Sequence, residues 1–192
     1  MSSPAAKKLA TTADLLALPD ERRVELINGE IIEKASPSFE HSSAQASLSA
    51  EIVTKFGRGD GHPGGWWIAT EVDTEYDIHQ LYRHDLAGWR KSNVPARPSG
   101  RPIRIKPDWV CEILSPSNWR NDTVYKFRAL HQYQVPHYWL MDVEHQELTI
   151  YRREKDGYLV AARVRPGEVG RLEPFEEVEL DVGYLFGIDP AN

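Results

Sequence analysis

A glutamate inside a short apolar run is the feature of this sequence that most constrains its fold. The run Val110–Leu114 holds Glu112, with Pro107 before it and a Ser-Pro-Ser turn at 115–117 after it. An apolar run of this length, bounded by turn residues, is typical of a strand buried on both faces. Because an unpaired buried carboxylate costs several kcal/mol, Glu112 must lie beside a metal ion or a cationic side chain.

The surrounding patterns predict an α/β fold with a mixed central sheet. Asn28-Gly29 between two apolar runs predicts a β-hairpin, because a type I′ turn needs positive φ at both central residues. Segment 107–143 has the pattern of a strand, a helix and a strand, and a crossover of that length implies parallel neighbouring strands. We therefore expect a parallel core with helices on both faces. The other predicted elements are helices over 13–18, 39–56 and 123–134, and strands over 66–77, 82–89, 137–143, 148–153 and 158–164.

Length and composition indicate one globular domain. Of the 192 residues, we expect 1–10 to form a flexible tail and 11–192 a single domain. The only cysteine is Cys111 in the predicted core strand, which predicts no disulfide and a reducing cytoplasm. No apolar run reaches the ~18 residues that span a bilayer, and the N-terminus lacks the apolar core of a signal peptide. We expect a cytoplasmic protein without a membrane anchor.

Positive charge is concentrated in one segment. Between Arg83 and Lys106 the chain has seven cations and one anion, a charge of +6, although the net charge of the whole chain is −6. One interpretation is a solvated loop of an acidic protein. The other is a basic loop that binds the phosphates of a nucleic acid near an acidic metal site. The candidate nucleic-acid-binding residues are Arg83, Arg90, Arg97, Arg101 and Arg104.

The spacing of carboxylates suggests which residue accompanies Glu112. Asp108 lies on the same strand, four residues away, which is ~13 Å along a strand and too far to share an ion. Asp85 can return beside Glu112 on a neighbouring strand, and two such carboxylates form a hard oxygen site for Mg²⁺ or Mn²⁺. The alternative is purely structural, with Asp85 paired to Arg83 and Glu112 paired to Lys126 or a buried arginine.

The order of these residues resembles that of the PD-(D/E)xK nuclease superfamily, which has the restriction-endonuclease-like fold. In that pattern an aspartate is followed, after an interval, by a glutamate in an apolar strand, and a helix comes next. The chain is more narrowly similar to a large and mostly uncharacterised bacterial family grouped with restriction endonucleases. This resemblance spans about residues 12 to 188, nearly the whole chain, and Glu112–Ser117 is its most specific part. The matching stretches are Glu25–Glu30, Ser36–His41, Arg83–Asp85, Pro107–Ser117 and Tyr133–Asp142.

The resemblance implies a magnesium-dependent DNA endonuclease with Asp85 and Glu112 as metal ligands. Two positions depart from the superfamily pattern. His84 replaces a proline that shapes the strand, a change we expect to matter little. Leu114 replaces the catalytic lysine, and the narrower family places a lysine in the next helix, here Lys126. This lysine would orient or deprotonate the attacking water, so Asp85, Glu112 and Lys126 are the predicted catalytic residues.

Two functions from different classes follow from these residues. The first is metal-dependent hydrolysis of DNA, for which cleavage of both strands favours a two-fold homodimer. The second is a catalytically inactive module of the same fold that binds nucleic acid or protein, in which Glu112 and Lys126 form a structural ion pair. A divalent ion between Asp85 and Glu112 distinguishes the first from the second.

Overall fold

An eight-stranded mixed sheet forms the centre of the protein, in the computed structural model that describes residues 8–116 and 119–188. The strand order is β2-β1-β4-β5-β6-β7-β8, with β3 paired to β4, and β9 and β10 form a small second sheet. The predicted α/β fold class is confirmed. The strands are β1 (Val24–Ile27), β2 (Glu30–Glu33), β3 (Trp66–Asp77), β4 (Gln80–Arg90), β5 (Trp109–Ile113), β6 (His137–Asp142), β7 (Glu147–Arg153), β8 (Tyr158–Val164), β9 (Val169–Gly170) and β10 (Leu180–Asp181).

The predicted hairpin at Asn28-Gly29 joins β1 to β2. Both turn residues have positive φ, 52° for Asn28 and 75° for Gly29, as a type I′ turn requires. Residues 1–7 of the expected flexible tail lie outside the described residues. Ala10, at the end of the expected tail, contacts the hairpin, because its N–H donates to the Gly29 carbonyl at 2.8 Å.

The crossover predicted for segment 107–143 is present. Strands β5 and β6 are parallel, with Glu112 opposite Leu140. The segment between them contains a π-helical turn, Asn121–Lys126, which continues into an α-helix. The helix predicted over 123–134 is already helical at 119–120, and its turns over Asn121–Lys126 are wider than those of an α-helix. The helices are α1 (Thr12–Leu16), α2 (Phe39–Ile52), α3 (Phe127–Gln132) and α4 (Val182–Leu185).

Apolar side chains cover both faces of the sheet. On one face, Ala44 and Leu48 of α2 pack with Trp109 and Cys111 of β5 and with the C-terminal segment. On the other face, Leu130 of α3 packs among neighbours that include Val110, Tyr138 and Leu140. Alternate residues of β5 thus enter different cores, so the strand is buried on both faces. No helix within residues 8–116 and 119–188 is long and apolar enough to cross a membrane.

Strand β4 has two different partners along one of its edges. Strand β3 pairs with β4 over its whole length and takes up the other edge. On the shared edge, β1 pairs near the start of β4, where Leu26 lies opposite Leu81, and β5 pairs near its end, from Leu86 to Gly88. Between these two ladders the edge of β4 has no strand partner among the residues that the structure describes. We call this gap the fork of the sheet.

Candidate active site

Carboxylates take the place of a partner strand at the fork. The Arg83 N–H donates to Glu25 Oε1 at 2.9 Å, and the Asp85 N–H lies 3.5 Å from Glu112 Oε2. In return, the Ile113 N–H donates to Asp85 Oδ2 at 2.7 Å. Buried backbone N–H groups need acceptors, and here carboxylate side chains supply them. The separation of β1 from β5 thus brings three acidic side chains to one place.

Asp85 is buried and lies beside Lys34. The Lys34 Nζ donates to Asp85 Oδ1 at 2.6 Å and to the Arg83 carbonyl at 2.6 Å. Burial alone would raise the pKa of Asp85, but the positive charge of Lys34, the largest of the opposing effects, holds that pKa well below its usual range. Asp85 is therefore ionised at neutral pH.

Glu112 is fully buried and has two partners on one oxygen. Its Oε1 accepts from His84 Nδ1 at 2.6 Å and from Lys126 Nζ at 3.1 Å. Burial lowers the pKa of His84 to about 3, so the ring is neutral, with its Nε2 2.8 Å from the Tyr76 hydroxyl. A neutral ring that donates through Nδ1 accepts from Tyr76 through Nε2. Sequence reasoning assigned His84 no role beyond replacing a proline, whereas in the structure its ring orients Glu112 through the contact to Oε1.

Lys126 lies where the π-helical turn meets the sheet, and it is fully buried. Its Nζ contacts Glu25 Oε1 at 2.7 Å, Asp122 Oδ1 at 2.9 Å and Glu112 Oε1 at 3.1 Å. Burial opposes its charge, but these three carboxylates raise the pKa of Lys126 well above its usual value. The sequence prediction that Lys126 reaches Glu112 agrees with the geometry. The other two carboxylates were not foreseen, and they enclose the ammonium group.

The cluster has more acidic groups than basic ones. The four acidic residues are at most 5 % exposed, and two ammonium groups face them within the part of the chain that the structure describes. Burial raises the pKa of Glu112 and of Asp122 to about 7. When all four carboxylates are ionised, the two lysines leave two negative charges uncompensated. The carboxylates belong to Glu25, Asp85, Glu112 and Asp122, and the ammonium groups to Lys34 and Lys126.

These residues fit a divalent cation. The Lys34 Nζ lies 2.6 Å from Asp85 Oδ1 and 3.7 Å from Glu112 Oε2, so one cation already reaches both predicted ligands. Carboxylate oxygens are the donors that Mg²⁺ and Mn²⁺ prefer, and a charge of +2 would balance the excess. Within the part of the chain that the structure describes, no three His, Cys, Asp or Glu side chains are already arranged around a common metal position. Lys34 must therefore move before an ion can bind.

The part of the basic segment around Ile103 lies on the far side of the β3–β4 hairpin. Ile103 binds the outer edge of β3 through hydrogen bonds to Asp73 and Glu75, so β3 and β4 separate this part of the segment from the fork. Asp73 is buried and accepts from both Arg83, at 2.7 Å, and Arg101, at 2.6 Å. These two arginines therefore stabilise a buried carboxylate of β3.

The other three candidate arginines differ in the contacts that their guanidinium groups form with the rest of the protein. Arg104 pairs with Glu75 at 2.9 Å. The Arg90 guanidinium stacks 4.5 Å from the centre of the Trp66 ring. Arg97 forms no ion pair with any residue among those described. Arg97 is thus the candidate with the most freedom to contact a phosphate.

A groove of about 800 Å³ opens at the ends of β5 and β6. Leu114, which stands at the usual position of the catalytic lysine, lines this groove together with the half-exposed ring of Trp119. Ser115 lines both the groove and a smaller cavity beside Lys34. Asp122 of the cluster also lines the smaller cavity, and Arg23 and Ser36 lie on its wall.

Four further residues of the site were not assigned by sequence reasoning. They are Glu25 of β1, Lys34 directly after β2, His41 of α2 and Asp122 of the π-helical turn. Lys34 and Asp85 are 51 positions apart in the chain, and no local pattern relates positions so distant. One signal was present for Glu25, which stands between Val24 and Leu26 in an apolar run, as Glu112 does in its own run.

Comparison with known proteins identifies the family. The family model Uma2, described as "Putative restriction endonuclease", matches residues 12–183. A solved structure from Anabaena variabilis ATCC 29413, described as "a putative nuclease belonging to DUF820", has a TM-score of 0.68 over 92 % of this chain and 97 % of that chain, at 21 % identity. At that identity the likeness shows a common fold. No curated protein matches the chain. The chain therefore belongs to the Uma2 family.

Proposed function

We propose that this protein is a magnesium- or manganese-dependent DNA endonuclease whose metal ligands are Asp85 and Glu112. The observation that carries the proposal is the pair of distances from one Lys34 ammonium, 2.6 Å to Asp85 and 3.7 Å to Glu112. Two buried carboxylates that already lie beside one cation, in a cluster of four carboxylates and two ammonium groups, are suited to a divalent ion. Membership of a family described as "Putative restriction endonuclease" supports phosphodiester hydrolysis as the reaction.

A divalent ion held by Asp85 and Glu112 would polarise the scissile phosphate and lower the pKa of a bound water. Neighbouring side chains orient the proposed ligand Glu112. Lys126 and His84 fix the orientation of Glu112 through contacts to its Oε1 at 3.1 Å and 2.6 Å. Lys126 favours the ionised form of Glu112, against the effect of burial. We assign Lys126 a catalytic role that acts through Glu112 and through its positive charge near the phosphate.

Side chains of the kind that bind phosphate groups line the small cavity beside the site. Arg23, Lys34, Ser36 and Ser115 line the small cavity next to the carboxylates, and such side chains bind the DNA backbone without reading its sequence. Lys34, once displaced from Asp85, would lie at this cavity with its charge free. We propose DNA as the substrate on this basis, and a two-fold dimer as the form that cuts both strands. A buried free thiol, Cys111, fits a reducing compartment such as the cytoplasm.

A second function is favoured by one observation. Lys126 is fully buried and in contact with three carboxylates, which is also the arrangement of a structural ion-pair network. In that case the protein is an inactive module of the nuclease fold that binds nucleic acid or protein. Incubation of supercoiled plasmid with the protein and Mg²⁺, and separately with EDTA, distinguishes the two. The endonuclease relaxes or linearises the plasmid only with Mg²⁺, whereas the module leaves it intact in both.

Arg97 provides a test of DNA binding by the basic segment. We expect Arg97→Gln to flatten the dependence of log K on log salt by up to ~0.9, because one phosphate contact is lost. Arg163→Gln is a matched control, since Arg163 is an exposed arginine on β8 at the other end of the sheet. Fluorescence anisotropy with a labelled duplex at several salt concentrations measures the slope. An equal slope for Arg97→Gln and the wild type would show that this segment is only solvated surface.

A further inference from the structure

His41 is a buried histidine without a hydrogen-bond partner beside the carboxylates. Its side chain is 7 % exposed and lies in the first turn of α2, with Nε2 3.6 Å from Asp85 Oδ1. Neither ring nitrogen forms a hydrogen bond with any of the residues that the structure describes. An unsatisfied buried polar group is destabilising. The ring nitrogen nearest Asp85 is thus available to a ligand.

Lys34 and His41 approach the same oxygen of Asp85. The Lys34 Nζ is 2.6 Å from Oδ1 and His41 Nε2 is 3.6 Å from it. Both residues line the small cavity beside the site, which has a volume of about 10 Å³, close to the space of one water molecule. Lysine has a long flexible stem, so its ammonium can leave Asp85 by rotation of side-chain torsions. A cation that replaces it at Asp85 Oδ1 would be next to the imidazole.

We propose that His41 is the third protein ligand of the divalent ion, together with Asp85 and Glu112, and that this ion displaces Lys34 from Asp85. The inference rests on the proposed metal-dependent function and completes its set of protein ligands. Imidazole suits transition metals such as Fe²⁺, Ni²⁺ and Zn²⁺, whereas Mg²⁺ and Mn²⁺ favour oxygen ligands. A nitrogen ligand beside two carboxylates therefore favours such metals over Mg²⁺, and paramagnetic Mn²⁺ serves as the probe of the site.

Pulsed electron paramagnetic resonance of bound Mn²⁺ tests this ligand set directly. The protein is labelled with ¹⁵N-histidine, and the coupling of Mn²⁺ to histidine nitrogen is measured for the wild type, His41→Ala and His41→Gln. We expect the coupling in the wild type and its loss in both variants. We expect ~10–100-fold weaker Mn²⁺ binding by His41→Ala, the loss typical of a disrupted metal shell, and a smaller loss for Mg²⁺. His145→Ala is the control, because His145 is 74 % exposed and pairs with Asp142 at the surface.

The outcomes separate this inference from the proposed function. If Mn²⁺ binds in a way that requires Asp85 and Glu112 but shows no histidine coupling, His41 is not a ligand and only this inference fails. Coupling that persists in both His41 variants would also overturn it. If the wild type binds no Mn²⁺ at all, the metal-dependent function and this inference fail together. The His41→Gln variant keeps the side-chain volume nearly constant, so a loss of coupling there is not explained by an unfolded protein.

Discussion

Glu112→Gln is expected to abolish magnesium-dependent cleavage of plasmid DNA, with a loss of ~10³-fold or more. A bound divalent ion contributes several kcal/mol to the stabilisation of the transition state, and each 1.36 kcal/mol corresponds to a tenfold change in rate. The amide has nearly the shape of the carboxylate and can still accept a hydrogen bond from His84, which lies 2.6 Å from Glu112 Oε1. The fold is therefore expected to persist while the charge that binds the metal is lost.

The control for this experiment is a carboxylate outside the cluster. Glu154 is half-exposed and pairs with Arg152 at the surface, so Glu154→Gln removes one negative charge without altering the fork. We expect full cleavage activity from Glu154→Gln. Circular dichroism of both variants establishes that they are folded. Residual activity of Glu112→Gln above a tenth of the wild-type rate would remove Glu112 from the reaction.

Lys126→Met is expected to produce the largest loss of stability, ~3–5 kcal/mol, because it leaves buried carboxylates without their cation. Lys126 contacts Glu25, Glu112 and Asp122 within 3.1 Å, so three acidic groups lose a partner at once. A domain of this size loses ~2–4 °C of melting temperature per kcal/mol, which gives a decrease on the order of 10 °C. Differential scanning calorimetry at neutral pH measures the change.

Magnesium distinguishes the enzyme from the inactive module in the same variant. If the site binds a divalent ion, Mg²⁺ supplies positive charge to the carboxylates and restores part of the lost stability of Lys126→Met. If the cluster is a structural ion pair, the loss remains the same with and without Mg²⁺. Lys155→Met is the control, because Lys155 is exposed in the turn before β8, and we expect its melting temperature to match that of the wild type.

The sequence predicted those strands and turns whose conformation is set by neighbouring residues in the chain. Strands β3 (Trp66–Asp77) and β8 (Tyr158–Val164) have the predicted bounds, because side-chain alternation and flanking turn residues define them. The hairpin at Asn28-Gly29 follows from the backbone conformation that its turn requires. The parallel pairing of β5 and β6 follows from the length of the crossover between them.

The sequence could not predict the fork or most of the groups that fill it. The fork exists because β1 and β5 pair with different parts of the same edge of β4. The number of residues that pair in each ladder depends on tertiary packing, which a local sequence pattern does not show. Lys34 reaches Asp85 across 51 positions of the chain. Apolar periodicity shows that Glu112 is buried, but it does not show which cations come back to it. The sequence therefore indicated Lys126 as a partner of Glu112 and missed Lys34 and His41.

The most direct test of the metal site is the anomalous X-ray scattering of a crystal grown with Mn²⁺, recorded at the manganese absorption edge. The proposed site predicts one anomalous peak between the carboxylates of Asp85 and Glu112, at ~2 Å from an oxygen of each, a distance typical of small octahedral cations. It also predicts that the Lys34 Nζ has left its position 2.6 Å from Asp85 Oδ1. Lys34 still bound to Asp85, with no anomalous peak at the two carboxylates, would contradict the metal site.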